Sequence, residues 1–259
     1  MPIQPDEQLS LVEHLTELRK RITWSALALA VGIVVSFAFN GVVFDLLLAP
    51  LPPTTAQITT FSPAEPFMVT LKVCAVAGAI LASPYLIYQF WAFVGPGFTS
   101  TERRHFVPVV VTCSVLFLLG IAVGYLLVLP RAMEALLGIN PSGAFQIELR
   151  ANDYFTFVAM FLLAFGVVFE LPVVLVLLAK TGVIDDRFLR KNRRFAILIG
   201  AIAAALLTPS PDAFSMLAMF LPLIILYEIS IWLAKLVQPK REDEAAGEPS
   251  ESRAPPATA

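Results

Sequence analysis

Three glutamates stand where a carboxylate could do chemistry. Glu17 is preceded by His14-Leu15-Thr16 and followed closely by Arg19, Lys20 and Arg21, while Glu102 precedes Arg103 and Arg104. Glu170 interrupts the apolar run Phe165-Gly166-Val167-Val168-Phe169-Glu170-Leu171-Pro172. A carboxylate at a membrane surface suits a cationic ligand, and arginine above all, because its planar fork of donors pairs two at a time with carboxylate oxygens. Glu17 and Glu102, on one membrane face, would together receive a basic peptide. Each also has a plainer use. Glu17 can pair with Arg21 at i,i+4, worth about 0.3 to 0.5 kcal/mol. Glu102 can stabilise a helix start through the dipole, its two arginines anchoring topology. Charged inside a bilayer, Glu170 would cost about 2.5 to 3.5 kcal/mol. It is therefore either neutral and hydrogen-bonded to a neighbouring helix, or a proton relay, or a polar contact for a partner's helix. Lys72 and Glu228 lie nearer span ends and read as snorkelling side chains. Asp212, in the turn Thr208-Pro209-Ser210-Pro211-Asp212, reads as a helix cap.

No set of residues suits an enzyme. H-E-x-x-H, G-x-S-x-G and a glycine-rich phosphate loop are all absent from the sequence. The two histidines, His14 and His105, fall outside the apolar runs, and no Cys/His pair has ligand spacing. No metal and no cofactor is expected. Cys74 and Cys113 both sit in apolar runs and read as small membrane-embedded residues rather than a disulfide framework.

The elements that must position the carboxylates are membrane spans. Of 259 residues 58% are hydrophobic and only 15% charged, and the mean hydropathy is +0.78. That excludes an ordinary cytoplasmic enzyme. A net charge of -2 argues against a nucleic-acid partner, which demands a basic excess. Apolar runs predict spans over residues 22–39, 67–94, 106–129 and 154–179, each long enough to cross a bilayer. Two shorter runs, 195–207 and 213–227, flank the turn at Asp212 and predict a short helical hairpin that tilts little, thins the membrane or packs beside other helices. The fold class expected is an all-α integral membrane protein of six spans, the last two short.

Ser10-Leu11-Val12-Glu13 fits a capping box, so a helix should begin at Leu11. On it Leu11, Leu15, Leu18 and Ile22 fall within an arc of about 60°, with Glu13 and Glu17 opposite. This predicts an interfacial helix feeding the first span, with His14 at the edge of its apolar face. Lysine and arginine collect on the cytoplasmic side of short loops, and 15 of the 18 basic residues fall on one side of the predicted spans. Both termini are therefore expected in the cytoplasm. The polar, acidic start does not resemble a signal peptide, and no cleaved segment is expected. Two long outer loops, 40–66 and 131–153, are expected to form an ordered cap. The domain reading is a cytoplasmic segment over 1–21, a membrane domain over 22–236 and a disordered tail over 237–259, which is too poor in apolar residues to fold.

His14-Leu15-Thr16-Glu17-Leu18-Arg19-Lys20-Arg21 resembles the H-L-x-E-L-R-x-R signature of the TatC family, the multispanning subunit of the twin-arginine protein translocase. Further motifs follow in family order: Phe61-Ser62-Pro63 with Glu65 and Phe67, Tyr88-Gln89-Phe90-Trp91-Ala92-Phe93, Glu102-Arg103-Arg104, the run around Glu170, and Leu207-Thr208-Pro209. Together they extend over residues 11–236.

The resemblance implies a receptor for twin-arginine signal peptides of folded precursor proteins, which are moved across the cell (inner) membrane with the proton motive force. It implies that Glu17 and Glu102 bind the arginine pair, with Arg19 and Phe93 shaping the site, and that Glu170 lies in a concave, glove-like wall of helices. Pro50 and Asp212 match outer-loop positions important in the family; the last outer turn is one residue longer than in some relatives. Implied partners are single-span Tat subunits of TatA or TatB type, docked on the last two spans, in an oligomeric complex. Until this resemblance is weighed, a proton-coupled secondary transporter using Glu170 stays open as the alternative.

Overall fold

A computed structural model describes residues 11–51, 57–94, 106–138, 147–180, 182–207 and 212–237. Its frame is helical. Helix α1 (Leu11–Ala38) runs without a break from the amphipathic segment through the first apolar run, while Ser10 of the expected capping box lies outside the described residues. Thr16 and Thr23 lie on it, each donating its hydroxyl to the carbonyl four residues earlier, at 2.8 Å. Helix α2 (Asn40–Leu48) and strand β1 (Gln57–Thr59) follow. Helix α3 (Glu65–Val94) then returns antiparallel to α1 and packs along it.

The third run is longer than its apolar pattern suggests. Helix α4 (Phe106–Val123) passes through a π-helical turn, Gly124–Val128, into helix α5 (Leu129–Gly138). Pro130 lacks an amide proton, and the wider turn before it lets the chain continue. The Arg131 guanidinium donates to the Leu127 carbonyl at 2.7 Å. Strand β2 (Glu148–Arg150) pairs in parallel with β1, Ile58 opposite Leu149.

Helices α6 (Ala151–Phe169) and α7 (Leu171–Lys180) make up the fourth run. Pro172 breaks the ladder between them, because its ring and missing proton disturb the carbonyl four residues back. Glu170 occupies the joint at φ -74°, ψ -18°. Its amide bonds to Val167, and its carbonyl accepts from Val173 and Val174. Short helix α8 (Asp186–Lys191), α9 (Arg193–Leu207) and α10 (Ala213–Val237) complete the frame.

Five helical stretches among the described residues are long and apolar enough to cross a membrane: Val12–Ala38, Glu65–Val94, Val107–Gly138, Ala151–Lys180 and Ala213–Val237. Helix α9 has 15 residues, about 22 Å at 1.5 Å per residue against roughly 30 Å of hydrocarbon, as short as expected. The last helix corrects the sequence reading. It has 25 residues and is not short. The apolar run ends at Tyr227, before the charge of Glu228, but glutamate is a good helix former and the helix continues past it; Glu228 accepts from Arg193 of α9 at 2.7 Å. Asp212 caps it, Oδ1 accepting from the Ser215 amide at 2.6 Å. The turn residues 208–211 and the tail 238–259 lie outside the described residues.

The core is the aromatic spine of α6, where Phe155, Phe161, Phe165 and Phe169 pack against α3, α4 and the outer loops. Helices α4 and α6 approach so closely that a methyl on Gly120 would lie 2.6 Å from the Phe165 carbonyl oxygen. Large apolar side chains such as Leu27, Val31, Val34, Leu81 and Val115 face outward, where a bilayer would cover them.

The described parts of the two long loops pack together into a cap, though its strands carry no alternation that would reveal them; residues 52–56 and 139–146 lie outside the described residues. Glu65, only 6% exposed, ties the cap together. It accepts from the Phe61 amide at 2.9 Å, from Arg150 Nε at 2.9 Å and from the Asn152 amide at 3.2 Å. The guanidinium of Arg150 also lies 5.8 Å from the centre of the Phe61 ring. Lys72 donates to Asn152 at 2.8 Å. Tyr125 and Tyr154 donate to the Leu46 and Leu47 carbonyls at the end of α2. Pro50 stands half-buried in the turn just after.

Candidate peptide-binding site

At the end of α3 opposite the cap, two helix faces meet as a ladder of polar and aromatic side chains. Positions 14, 17, 21 and 24 share a face of α1 because steps of three, four and three residues return close to one direction on a helix. Positions 85, 89 and 93 do the same on α3. His14 stacks on Phe93 with ring centroids 4.5 Å apart. Arg21 Nη1 donates to Gln89 Oε1 at 3.2 Å, and Gln89 Nε2 donates to the Tyr85 hydroxyl at 2.6 Å. Trp24 and Tyr85 stand at the far end of the ladder.

Glu17 is held within this ladder. Arg21 Nε donates to Glu17 Oε1 at 3.1 Å, and Nη2 bonds the same oxygen. The pair is mostly withdrawn from water, the side chains being 23% exposed for Arg21 and 27% for Glu17. A pocket of about 380 Å³ opens beside it, lined by Glu17, Lys20, Arg21, Trp24, Tyr85, Tyr88 and Gln89. This volume accommodates a side chain, and the wall combines one carboxylate with three aromatic rings, on whose faces a guanidinium can stack. From Trp24 and Tyr85 an apolar groove continues along α1 and α3 past Leu27, Val31 and Leu81.

The residues expected here are only partly gathered. Glu17 lines the pocket, whereas Phe93 does not and instead stacks on His14 further along the ladder. Arg19 is exposed and lies two positions from Glu17, about 200° around the helix; it does not line the pocket. Glu102 lies outside the described residues, in 95–105. Gln89, Tyr85 and Trp24 were not singled out from the sequence, although a glutamine in an apolar run signals a polar partner. His14 proves to be more than an interfacial residue.

Glu170 belongs to a second polar cluster. Trp91 Nε1 donates to Cys113 Sγ at 3.1 Å, and the Glu170 carboxyl lies beside that thiol. Three helices thus converge, α3, α4 and the α6–α7 joint. Glu170 Oε1 is buried and has no hydrogen-bond partner among the described residues. Such an oxygen is costly to bury and suits a donor from outside the chain. Both cysteines are buried and neither forms a disulfide.

The model of the family described as Sec-independent protein translocase protein (TatC) matches residues 13–222. A Sec-independent protein translocase protein TatC from Desulforapulum autotrophicum is 42% identical over 248 residues, covering 93% of this chain and 91% of that protein. Its counterpart from Aquifex aeolicus is 37% identical over 238 residues, covering 91% and 98%. A crystal structure described as the twin arginine translocase receptor TatC superimposes with a TM-score of 0.78 at 38% identity, covering 87% of this chain and 99% of that one. A second such structure, in DDM, gives 0.78 at 37% identity.

Proposed function

Because the chain belongs to the TatC family of Sec-independent protein translocase proteins, we propose that it is the subunit that receives twin-arginine signal peptides. Family membership makes it a multi-pass inner-membrane component of protein transport and not an enzyme. In this reading α9 is a sixth, short span, both termini face the cytoplasm, and the helices form a concave, glove-like wall. Residues 1–21 are then the cytoplasmic segment, 22–236 the membrane domain and 237–259 a cytoplasmic tail. Folded precursors are moved with the proton motive force.

The observation that carries the reading is the Glu17 carboxylate in the wall of an aromatic-lined pocket at the basic end of the helices. Glu17 and Glu102 bind the arginine pair, Phe93 holds His14 and so the start of α1, and Arg19 offers its charge to the surrounding surface. Charge-assisted bonds contribute about 1.5 to 3 kcal/mol each, and the fork separates arginine from lysine. Glu170 Oε1 accepts a donor from the signal peptide or from a single-span TatA- or TatB-type partner docked on α9 and α10. Pro50 and Asp212 shape the outer turns in an oligomeric complex.

The test is binding of a fluorescent signal peptide to the detergent-purified chain. An Arg-Arg peptide should bind at least about tenfold more tightly than its Lys-Lys counterpart, a difference of about 1.4 kcal/mol. Glu17→Ala and Glu102→Ala should each remove most of that preference. Equal affinity for both peptides, falling together with salt, would reduce the attraction to nonspecific charge.

A further inference from the structure

Glu17 already holds an arginine. Two donors of the Arg21 fork converge on its Oε1, and the third bond of that guanidinium goes to Gln89, itself held by Tyr85. The pocket that a ligand would enter is lined by the same Glu17, Arg21, Gln89 and Tyr85. A ligand arginine that pairs with Glu17 fork to fork needs both carboxylate oxygens. It therefore cannot dock without shifting Arg21.

We propose that Arg21 is an internal stand-in for the ligand's arginine, so that signal-peptide binding is an exchange of one guanidinium for another on Glu17. The proposal rests on the reading of Glu17 as the receptor carboxylate. Exchange has two consequences. Breaking one Arg–Glu pair to make another leaves only the difference between them as affinity, so the peptide is held reversibly. Arg21 does not lose every partner when displaced, because the Gln89 amide oxygen on α3 remains within its reach. The second consequence is a threshold. Every cation that displaces Arg21 meets the same cost, so a lysine ammonium, which makes a point contact and lacks the paired donors of the fork, is driven to weak binding, while the ratio between the two ligands stays that of their own contacts with Glu17.

This predicts an unusual mutant. In the full-length, detergent-purified chain, Arg21→Gln should bind the Arg-Arg peptide about three- to tenfold more tightly, as expected for removal of a partly buried competing pair. The Lys-Lys peptide should gain by the same factor if its ammonium displaces Arg21, and by less if it docks beside that pair, so the ratio between the two peptides holds or widens. Arg21→Lys keeps the charge and removes the fork, and should still strengthen the Arg-Arg peptide, by less. Lys20→Gln, which removes the same charge from the same pocket, serves as the electrostatic control: it should strengthen both peptides clearly less than Arg21→Gln does.

Weaker binding by both Arg21 variants would show that Arg21 only props up Glu17, and would overturn the exchange. So would a gain in Arg21→Gln no larger than that in Lys20→Gln with no gain in Arg21→Lys, since charge alone then accounts for it. Wild-type affinity retained in Glu17→Ala would remove the receptor reading itself. A loss in Glu17→Ala with no change in Arg21→Gln would keep the receptor reading and remove the exchange.

Discussion

Gly32 of α1 and Gly78 of α3 meet backbone to backbone. A methyl on Gly32 would lie 2.5 Å from the Gly78 carbonyl oxygen, and one on Gly78 would lie 2.5 Å from the Ile33 amide nitrogen. Neither neighbour is a side chain that could turn aside. The contact lies 11 residues from Arg21 and 11 from Gln89, so the antiparallel pair is pinned at this crossing and the pocket ladder follows from its register.

Gly78→Ala should therefore push the helices apart and loosen the ladder at a distance. The expected outcome is a loss of about 1 to 3 kcal/mol in stability, as for overpacked cores, together with weaker Arg-Arg peptide binding. Thermal unfolding in detergent and the peptide titration check the two effects. Unchanged values in both would mean that the helices adjust locally and that the crossing does not position the site.

Glu65 makes a separate prediction at the other end of α3. Its carboxylate accepts from one guanidinium and two backbone amides while almost fully buried. Glu65→Gln keeps the shape, but removes the charge and turns one acceptor into a donor facing donors. The expected cost is about 1.5 to 3 kcal/mol, visible as a lower Tm. Proteolysis of the outer loops should speed up as β1 and β2 lose their brace. Protection equal to the parent chain would assign the cap's order to its tyrosine and aromatic contacts instead.

The Glu170 prediction separates stability from transport. A buried oxygen without a partner is a cost in the isolated chain, whereas under the proposed function it serves as an acceptor in the working complex. Glu170→Leu should raise the Tm of the purified chain and reduce translocation of a twin-arginine precursor into membrane vesicles. That opposition of stability and activity is the mark of a functional polar group. A destabilised chain would instead make Glu170 an internal fastener of α4 to the α6–α7 joint.

The spans were legible because a bilayer imposes a length and a composition at once: a helix that crosses it must be apolar for about 20 residues. The end of α10 was not legible in hydropathy, which ends a run at the first charge, whereas a glutamate such as Glu228 continues a helix readily; that Glu228 meets Arg193 was decided by packing between two elements. The strands β1 and β2 are three residues each and exist through pairing across about 90 positions of chain, with no local pattern to announce them. Asp212 was readable as a cap because capping is local.

At the pocket, the sequence determined that Glu17 could meet either Arg21 or a ligand, since i,i+4 spacing is a property of one helix. Only the tertiary structure decided that Gln89 and Tyr85 hold that arginine, that His14 stacks on Phe93, and that Arg19 faces elsewhere. These facts depend on where α1 crosses α3, which two glycines set by letting the backbones touch. Local periodicity assigns residues to faces. Which faces meet, and at what register, is a matter of packing between segments far apart in the chain, and no single helix contains that information.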